Sequence, residues 1–174
     1  MSQANRGMAL ENLLNYTNEV YLQKGVAVVH KRPTPVKITQ TKGTRILSGF
    51  LESKSTVDYC GVYSGRALEF EAKSTKESNR FPLDNIHEHQ VQHMRLCARQ
   101  GAVVFVVMEF SKHDETFYVP AKLILDAWDH AQNGGRKSIT YQDISTICYL
   151  IKPGRGVPLD YLRAVDEHIR QKAV

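Results

Sequence analysis

Residues 57–73 read "VDYCGVYSGRALEFEAK". Two β-prone runs flank Ser64-Gly65, a tight-turn signal because a two-residue hairpin loop needs the positive φ that Gly accepts. Tyr63 then pairs with Arg66, and counting outward sets Val62 opposite Ala67, Cys60 opposite Glu69, and Asp58 opposite Glu71. Side chains alternate with period two, so Tyr59, Leu68, Phe70 and Ala72 share an apolar face. The other face collects Asp58, Cys60, Glu69, Glu71 and Lys73. Directly opposed like charges destabilise a sheet unless something sits between them, and a cation is the obvious candidate.

Working outward, "GVAVVH" reads as a short buried strand upstream of the hairpin. Between them, "KRPTPVKITQTKGTRILSGFLESKS" carries two prolines that forbid a regular central strand, while Ile38, Ile46, Leu47 and Phe50 keep β character. This segment reads as a protruding basic ribbon or loop. It holds Lys31, Arg32, Lys37, Lys42, Arg45 and Lys54 against Glu52 alone, a local +5 that equals the net charge of the whole chain. Such a localised field suits a polyanion, nucleic acid being the commonest, with a solvated loop as the alternative.

Leu10, Leu13, Leu14, Thr17 and Tyr21 recur at helical spacing up to Gly25, predicting an amphipathic helix over about residues 8–24 that also carries Glu11, Asn15 and Asn18. Downstream, "FPLDNIHEHQVQHMRLCARQG" predicts a helix capped by Asp84 or Asn85, stopped by Gly101, and apolar at Ile86, Val91, Met94 and Leu96. "AVVFVVMEF" is a continuous apolar run of strand length and belongs in the middle of a sheet. "TFYVP" is its hairpin partner, "AKLILDAWDHA" a short helix, "SITYQDI" a second short helical or turn segment, and "LDYLRAVDEHIRQKA" a C-terminal helix. The 174 residues fit one domain. The chain has no apolar run long enough to span a membrane, and its start lacks a signal-peptide pattern, so a cytoplasmic protein without membrane partners is expected. Cys60, Cys97 and Cys148 lack the spacing of a disulfide framework or a zinc site, and reduced thiols are the default.

Two carboxylates held side by side on a sheet form a hard oxygen site suited to Mg²⁺ or Mn²⁺, and Lys73, two residues beyond Glu71, lies on the same face. That combination points to phosphodiester hydrolysis, although Glu-x-Lys alone is common on solvated strands. The pattern Asp58-x12-Glu71-Ala72-Lys73 resembles the PD-(D/E)xK nuclease signature. "NRGM" (5–8), "HKRPTPV" (30–36), "TVDYCGVYSGRALEFEAK" (56–73), "FPLDNIHEHQVQHM" (81–94) and "GRKSI" (135–139) together resemble the RecU family, Holliday junction resolvases of Gram-positive bacteria and some of their phages.

The resemblance implies an α/β fold with a mixed central β-sheet flanked by helices. It is a restriction-endonuclease-like core, a single nuclease domain over 1–174, from which residues 31–54 protrude as a basic stalk reaching into a four-way junction. It also implies Mg²⁺, with Mn²⁺ as the alternative, held by Asp58, Glu71 and the main-chain carbonyl of Ala72. Lys73 takes the place of the catalytic lysine, Glu11 that of an acid supplied by the N-terminal helix, and Gln90 that of a polar residue orienting water or phosphate. The stalk residues Lys31, Arg32, Lys37, Lys42, Arg45 and Lys54, with Arg136 and Lys137, are the expected DNA contacts.

On this reading the protein is a homodimeric, structure-selective endonuclease leaving 5′-phosphate ends, active in recombination and repair. A RecA-type recombinase and a branch-migration helicase are its implied partners. The alternatives are a non-catalytic DNA-binding or strand-annealing modulator of a recombinase, and another endonuclease of the same superfamily. Among the remaining polar residues, Glu69 reads as an outer or solvated acid. His89 and His93 read as surface or phosphate contacts rather than a zinc pair, because no third ligand is evident. Cys60 reads as a packing residue, and Trp128 as core or dimer contact.

Overall fold

The structure, a computed structural model, describes residues 3–52 and 56–172. Its catalytic-strand candidate is a hairpin of β4 (Tyr59–Tyr63) and β5 (Arg66–Thr75), in the register counted from the sequence: Tyr63 faces Arg66, Cys60 faces Glu69 and Tyr59 faces Phe70. Both turn residues have positive φ, Ser64 at 48° and Gly65 at 73°, as the tight turn that matches strand twist requires.

This hairpin lies inside a six-stranded sheet. β1 (Val28–Lys31) pairs with β4 on one side, while β7 (Val103–Phe110), β8 (Glu115–Pro120) and β10 (Tyr149–Leu150) extend it beyond β5 in that order. Only the β5–β7 pair is parallel, and the other pairs in this sheet are antiparallel. Parallel neighbours need a crossover, and α2 (Glu88–Arg99) supplies it.

The crossover decides which face carries chemistry. Tyr59, Leu68, Phe70, Phe105 and Val107 turn toward α1 (Gln3–Gln23) and α5 (Tyr161–Lys172), where they pack with Leu10, Leu14, Tyr21, Tyr161 and Val165. Phe70 stacks between Tyr59 at 4.8 Å and Phe105 at 4.6 Å, centroid to centroid. Val104, Val106 and Met108 turn the opposite way, toward α2, α3 (Ala121–Gln132) and α4 (Tyr141–Ile147). β7 is therefore buried on both sides, as its unbroken apolar sequence indicates. The sheet is mixed and central, with helices on both faces, the architecture expected of a restriction-endonuclease-like core.

The basic segment forms a separate two-stranded ribbon of β2 (Val36–Lys42) and β3 (Arg45–Leu51) in which every residue is exposed. Pro33 and Pro35 sit ahead of β2, outside the ladder, which is where residues lacking an N–H do least harm. Lys54 lies outside the described residues.

Several expectations need correction. β1 is an edge strand rather than a buried one: it pairs only with β4, and Val29 alone is buried. Helix α2 begins later than Asp84 or Asn85, because Leu83–Asn85 closes a 3₁₀ turn and Ile86 is extended. His87 is the cap, its N–H donating to Gln90 Oε1 at 3.0 Å. Leu96 is 59% exposed and not part of the core. "SITYQDI" divides into β9 (Ser138–Thr140), paired with β6 (Arg80–Pro82), and α4, whose cap Thr140 accepts from the Asp143 N–H at 3.0 Å.

No helix among the described residues is long and apolar enough to cross a membrane.

Gly61 is the closest approach in the β4–β5 hairpin. A Cβ there would stand 2.3 Å from the Val28 carbonyl oxygen and 2.7 Å from Val29 Cα, both backbone atoms of β1. Gly61→Ala is therefore expected to destabilise the protein by about 1–3 kcal/mol through overpacking. Thermal or urea unfolding measures it, with weakened hydrogen-exchange protection of β1 as the local signature.

Candidate active site

Asp58 and Glu71 meet where the β4–β5 hairpin opens. Each side chain takes a main-chain donor from the facing strand: the Ala72 N–H donates to Asp58 Oδ2 at 3.1 Å, and the Asp58 N–H donates to Glu71 Oε2 at 3.1 Å. This reciprocal clasp tolerates two facing acids because each charge is met by a backbone dipole before it meets the other. Asp58 sits just before β4, where Arg32 N–H holds its carbonyl at 2.7 Å.

The remaining Glu71 oxygen, Oε1, accepts from Lys73 Nζ at 2.8 Å and from Gln90 Nε2 at 2.7 Å. Gln90 is itself fixed, because its Oε1 accepts from the His87 N–H, so the helix cap determines which end of the amide faces Glu71. Lys73 reaches Glu71 from two residues along β5, as strand periodicity requires. Glu71, Lys73 and Gln90 thus converge on the face under α2.

Glu71 is 2% exposed. Burial, opposed by Lys73 and reinforced by Asp58, pushes its carboxyl from an ordinary value near 4.5 up to about 7. Across the sheet the Tyr59 hydroxyl is also held well above its usual range, first by burial and then by the negative charges of Glu11, Asp58 and Glu71. That hydroxyl lies 3.0 Å from Asn15 Oδ1 and 3.3 Å from the Glu11 carbonyl oxygen, linking α1 to the hairpin. The Glu11 carboxylate pairs with Lys31 at 2.5 Å and is not hydrogen-bonded to Asp58 or Glu71 among the described contacts.

The expected DNA contacts fall into two groups. Lys37, Lys42 and Arg45 are exposed on the ribbon, and Arg136 and Lys137 are exposed after α3. Lys31 and Arg32 are instead engaged at the ribbon's foot. Arg32 Nη2 lies 2.7 Å from both Glu69 oxygens, and its Nη1 donates to Thr56 Oγ1 at 2.7 Å. Arg32 therefore fastens both ends of the ribbon to β5.

Glu69 is consequently not a solvated acid. It also lies 3.0 Å from His93 Nε2, and Cys97 Sγ lies 3.4 Å from the same nitrogen. The sequence signal was the His93-x3-Cys97 spacing on one helix face, which the pairing of His89 with His93 obscured. Trp128 packs against the core under α3. Burial together with Glu69 raises the Cys97 thiol.

As a donor set, Asp58, Glu71 and the main chain at Ala72 offer hard oxygens, the chemistry of Mg²⁺ or Mn²⁺ rather than of zinc. The buried, raised Glu71 carboxyl is the observation that fits a cation, because an ion there would offset the cost of burying its charge.

The Recombination protein U family profile matches residues 5–167. A "Holliday junction resolvase RecU" of Limosilactobacillus reuteri is 42% identical over 175 residues, covering 98% of this chain and 86% of that protein. One from Oceanobacillus iheyensis is 43% identical over 169 residues, covering 94% and 86%. Among solved structures, Archaeoglobus fulgidus Hjc, a Holliday junction resolvase, shares 14% identity at a TM-score of 0.47, covering 80% of this chain and 92% of its own. With the profile spanning residues from α1 to α5 and identity above two-fifths over nearly the whole length, the chain belongs to the RecU family.

Proposed function

We propose that this protein is a Holliday junction resolvase, a structure-selective endonuclease that hydrolyses phosphodiester bonds during recombination and repair. The observation that carries the reading is the Asp58–Glu71 clasp with Lys73 and Gln90 on the same face, in a chain of the RecU family. Its RecU relatives are named for that activity.

Asp58, Glu71 and the Ala72 carbonyl hold the divalent cation, Mg²⁺ first and Mn²⁺ as the alternative. Such an ion, when bound, lowers the pKa of a coordinated water and neutralises charge developing on phosphorus. Gln90 keeps the Glu71 carboxylate in one orientation. Lys73 hydrogen-bonds Glu71 in the resting site and, 19% exposed, supplies an ammonium toward the attacking water or the scissile phosphate. Glu11, held by Lys31, is the outermost acid of the set. Cleavage leaves a 5′-phosphate and a 3′-hydroxyl.

The catalytic unit spans residues 1–174, and its basic segment 31–54 reaches into the junction with Lys37, Lys42, Arg45 and Lys54. Arg136 and Lys137 hold a flanking arm. Lys31 and Arg32 act chiefly at the ribbon's foot. Two copies related by a two-fold axis present two sites to a substrate with approximate two-fold symmetry. The protein works in the cytoplasm. The ribbon also exposes Val36, Ile38, Leu47, Phe50 and Leu51. These apolar side chains have no use for phosphate and favour an additional protein contact, with a RecA-type recombinase or a branch-migration helicase.

The decisive experiment is cleavage of a labelled four-way junction and of linear duplex, with Mg²⁺ or chelator. Wild type is expected to cut the junction selectively and only with metal. Glu71→Ala should lose about 10²-fold or more, upward of about 2.7 kcal/mol of transition-state stabilisation, while still binding the junction. Equal cutting of linear duplex would replace the resolvase reading with that of a general endonuclease, and no cutting with tight binding would favour the modulator.

Junction binding should weaken steeply with salt. Removing Lys37, Lys42 or Arg45 singly should reduce the slope of log K against log[salt] by about 1 each, as for a released counterion.

Stability tests the buried charge separately. Between pH of about 4.5 and 7 the folded protein holds the Glu71 proton more tightly than the unfolded chain does. The contribution of this carboxyl to stability therefore falls as pH rises through that window, by on the order of 3 kcal/mol. In chelator, the melting temperature of wild type relative to Glu71→Gln should drop from about pH 5 to about pH 8. Mg²⁺ should restore it at the higher pH in wild type only.

A further inference from the structure

We propose a second, chemically distinct metal site in this protein, formed by Glu69, His93 and Cys97, which takes a borderline-soft divalent cation of the zinc class.

One donor atom from each of the three lies within 4.8 Å of the other two. Two of the site's edges, 3.0 Å from His93 Nε2 to Glu69 Oε2 and 3.4 Å from His93 Nε2 to Cys97 Sγ, approach those of an occupied site. Zinc bonds of about 2.0–2.1 Å to nitrogen or oxygen and about 2.3 Å to sulfur, opened at tetrahedral angles, place N and O roughly 3.3 Å apart and N and S roughly 3.5 Å apart. His93 and Cys97 stand four residues apart on α2, so one helix face presents both, and Glu69 meets them from β5.

The set is one carboxylate, one imidazole and one thiolate, which suits zinc and leaves a fourth position for water. Access comes from a cavity of about 510 Å³ that Glu69 and Cys97 line together with Arg66, Leu96 and Gln100. The Cys97 thiol must give up its proton to solvent on binding, and the thiolate and carboxylate then balance the charge of the ion. Arg32 shares Glu69 with the site and would have to yield Oε2 to the ion. Its Nη2 spans both Glu69 oxygens, so with a cation on Oε2 it keeps Oε1 and orients the carboxylate, as outer partners of metal ligands do. The ribbon's foot would thereby be tied to the ion as well as to β5.

This site uses none of the Asp58, Glu71, Lys73 or Gln90 atoms and stands whether or not those residues bind Mg²⁺. Its consequence for them is mechanical. Gln90 precedes His93 by one turn of α2, and Glu69 precedes Glu71 by two residues of β5, so an ion joining His93 to Glu69 pins the two elements whose spacing sets the Gln90–Glu71 hydrogen bond.

The test is titration of the metal-free protein with Co²⁺, whose thiolate ligation gives a near-ultraviolet charge-transfer band. Wild type is expected to show that band, saturating at one equivalent and abolished by Zn²⁺ but not by excess Mg²⁺. Zn²⁺ should also raise the melting temperature. Cys97→Ser should lose the band and the shift while keeping the wild-type circular dichroism spectrum, and His93→Gln should weaken both. Glu71→Ala, which removes the hard-oxygen site, should leave the band intact. No thiolate band in wild type, a band that survives Cys97→Ser, or one that disappears in Glu71→Ala would each overturn the proposal. Loss of cleavage in Glu71→Ala with the band retained keeps the two sites separable.

Discussion

A carboxyl group kept almost dry on the inner face of a sheet, directly across from a second acid, is the constraint around which this molecule is arranged. Glu71 cannot be placed there without donors, and the fold supplies three: the Asp58 N–H, Lys73 and Gln90. The first two come from the hairpin and its register, which also brings the Ala72 N–H to Asp58. The third needs α2, and so depends on the crossover that makes β7 parallel to β5. Packing on the far face then holds the hairpin flat: Phe70 between Tyr59 and Phe105 leaves β5 no freedom to rotate its acids outward. Hydrophobic burial on one side of the strand thus stabilises an electrostatic arrangement on the other.

Much of this was legible in sequence because the hairpin is governed by local rules. A Ser-Gly turn fixes the register, the register fixes the faces, and period two separates Leu68, Phe70 and Ala72 from Glu69, Glu71 and Lys73. The apolar run of β7 likewise announced its own place. What the sequence did not disclose depends on contacts distant along the chain. Asp84 and Asn85 are good caps in isolation, yet α2 starts at His87, where Gln90 can turn back to the cap while reaching Glu71. The position of β1 at the sheet edge is a property of strand order, which periodicity does not encode. Gln90 and Glu11 stand out through family resemblance and not through spacing, and among the described contacts only Gln90 is hydrogen-bonded to the paired acids.

Charge patterning was informative in total but not in detail. Counting six basic residues in the ribbon region treats them alike, whereas the fold spends Lys31 and Arg32 on Glu11 and Glu69. Both pairs sit where the ribbon leaves the body. The difference is burial: Arg32 and Glu69 are largely covered, so their interaction is less screened by water than a surface pair, whereas Lys31 is nearly half exposed. Arg32 is therefore the stronger fastening, and it reaches the far foot of the ribbon at Thr56 as well.

That fastening links two parts of the molecule with different mechanical characters. The ribbon is a two-stranded hairpin with no buried residue, an element that alone has little to stabilise it in water. Its direction relative to the body must come from its feet. The Arg32 N–H binds the carbonyl of Asp58, and its guanidinium binds Thr56 and Glu69. The same residue therefore orients the ribbon and grips Asp58, just ahead of β4, and β5, the strand that carries Glu71. A load carried by Arg32 at the ribbon's foot would be delivered to the β4–β5 hairpin through these contacts. One arginine thus joins the foot of the basic arm directly to the hairpin that holds the paired acids.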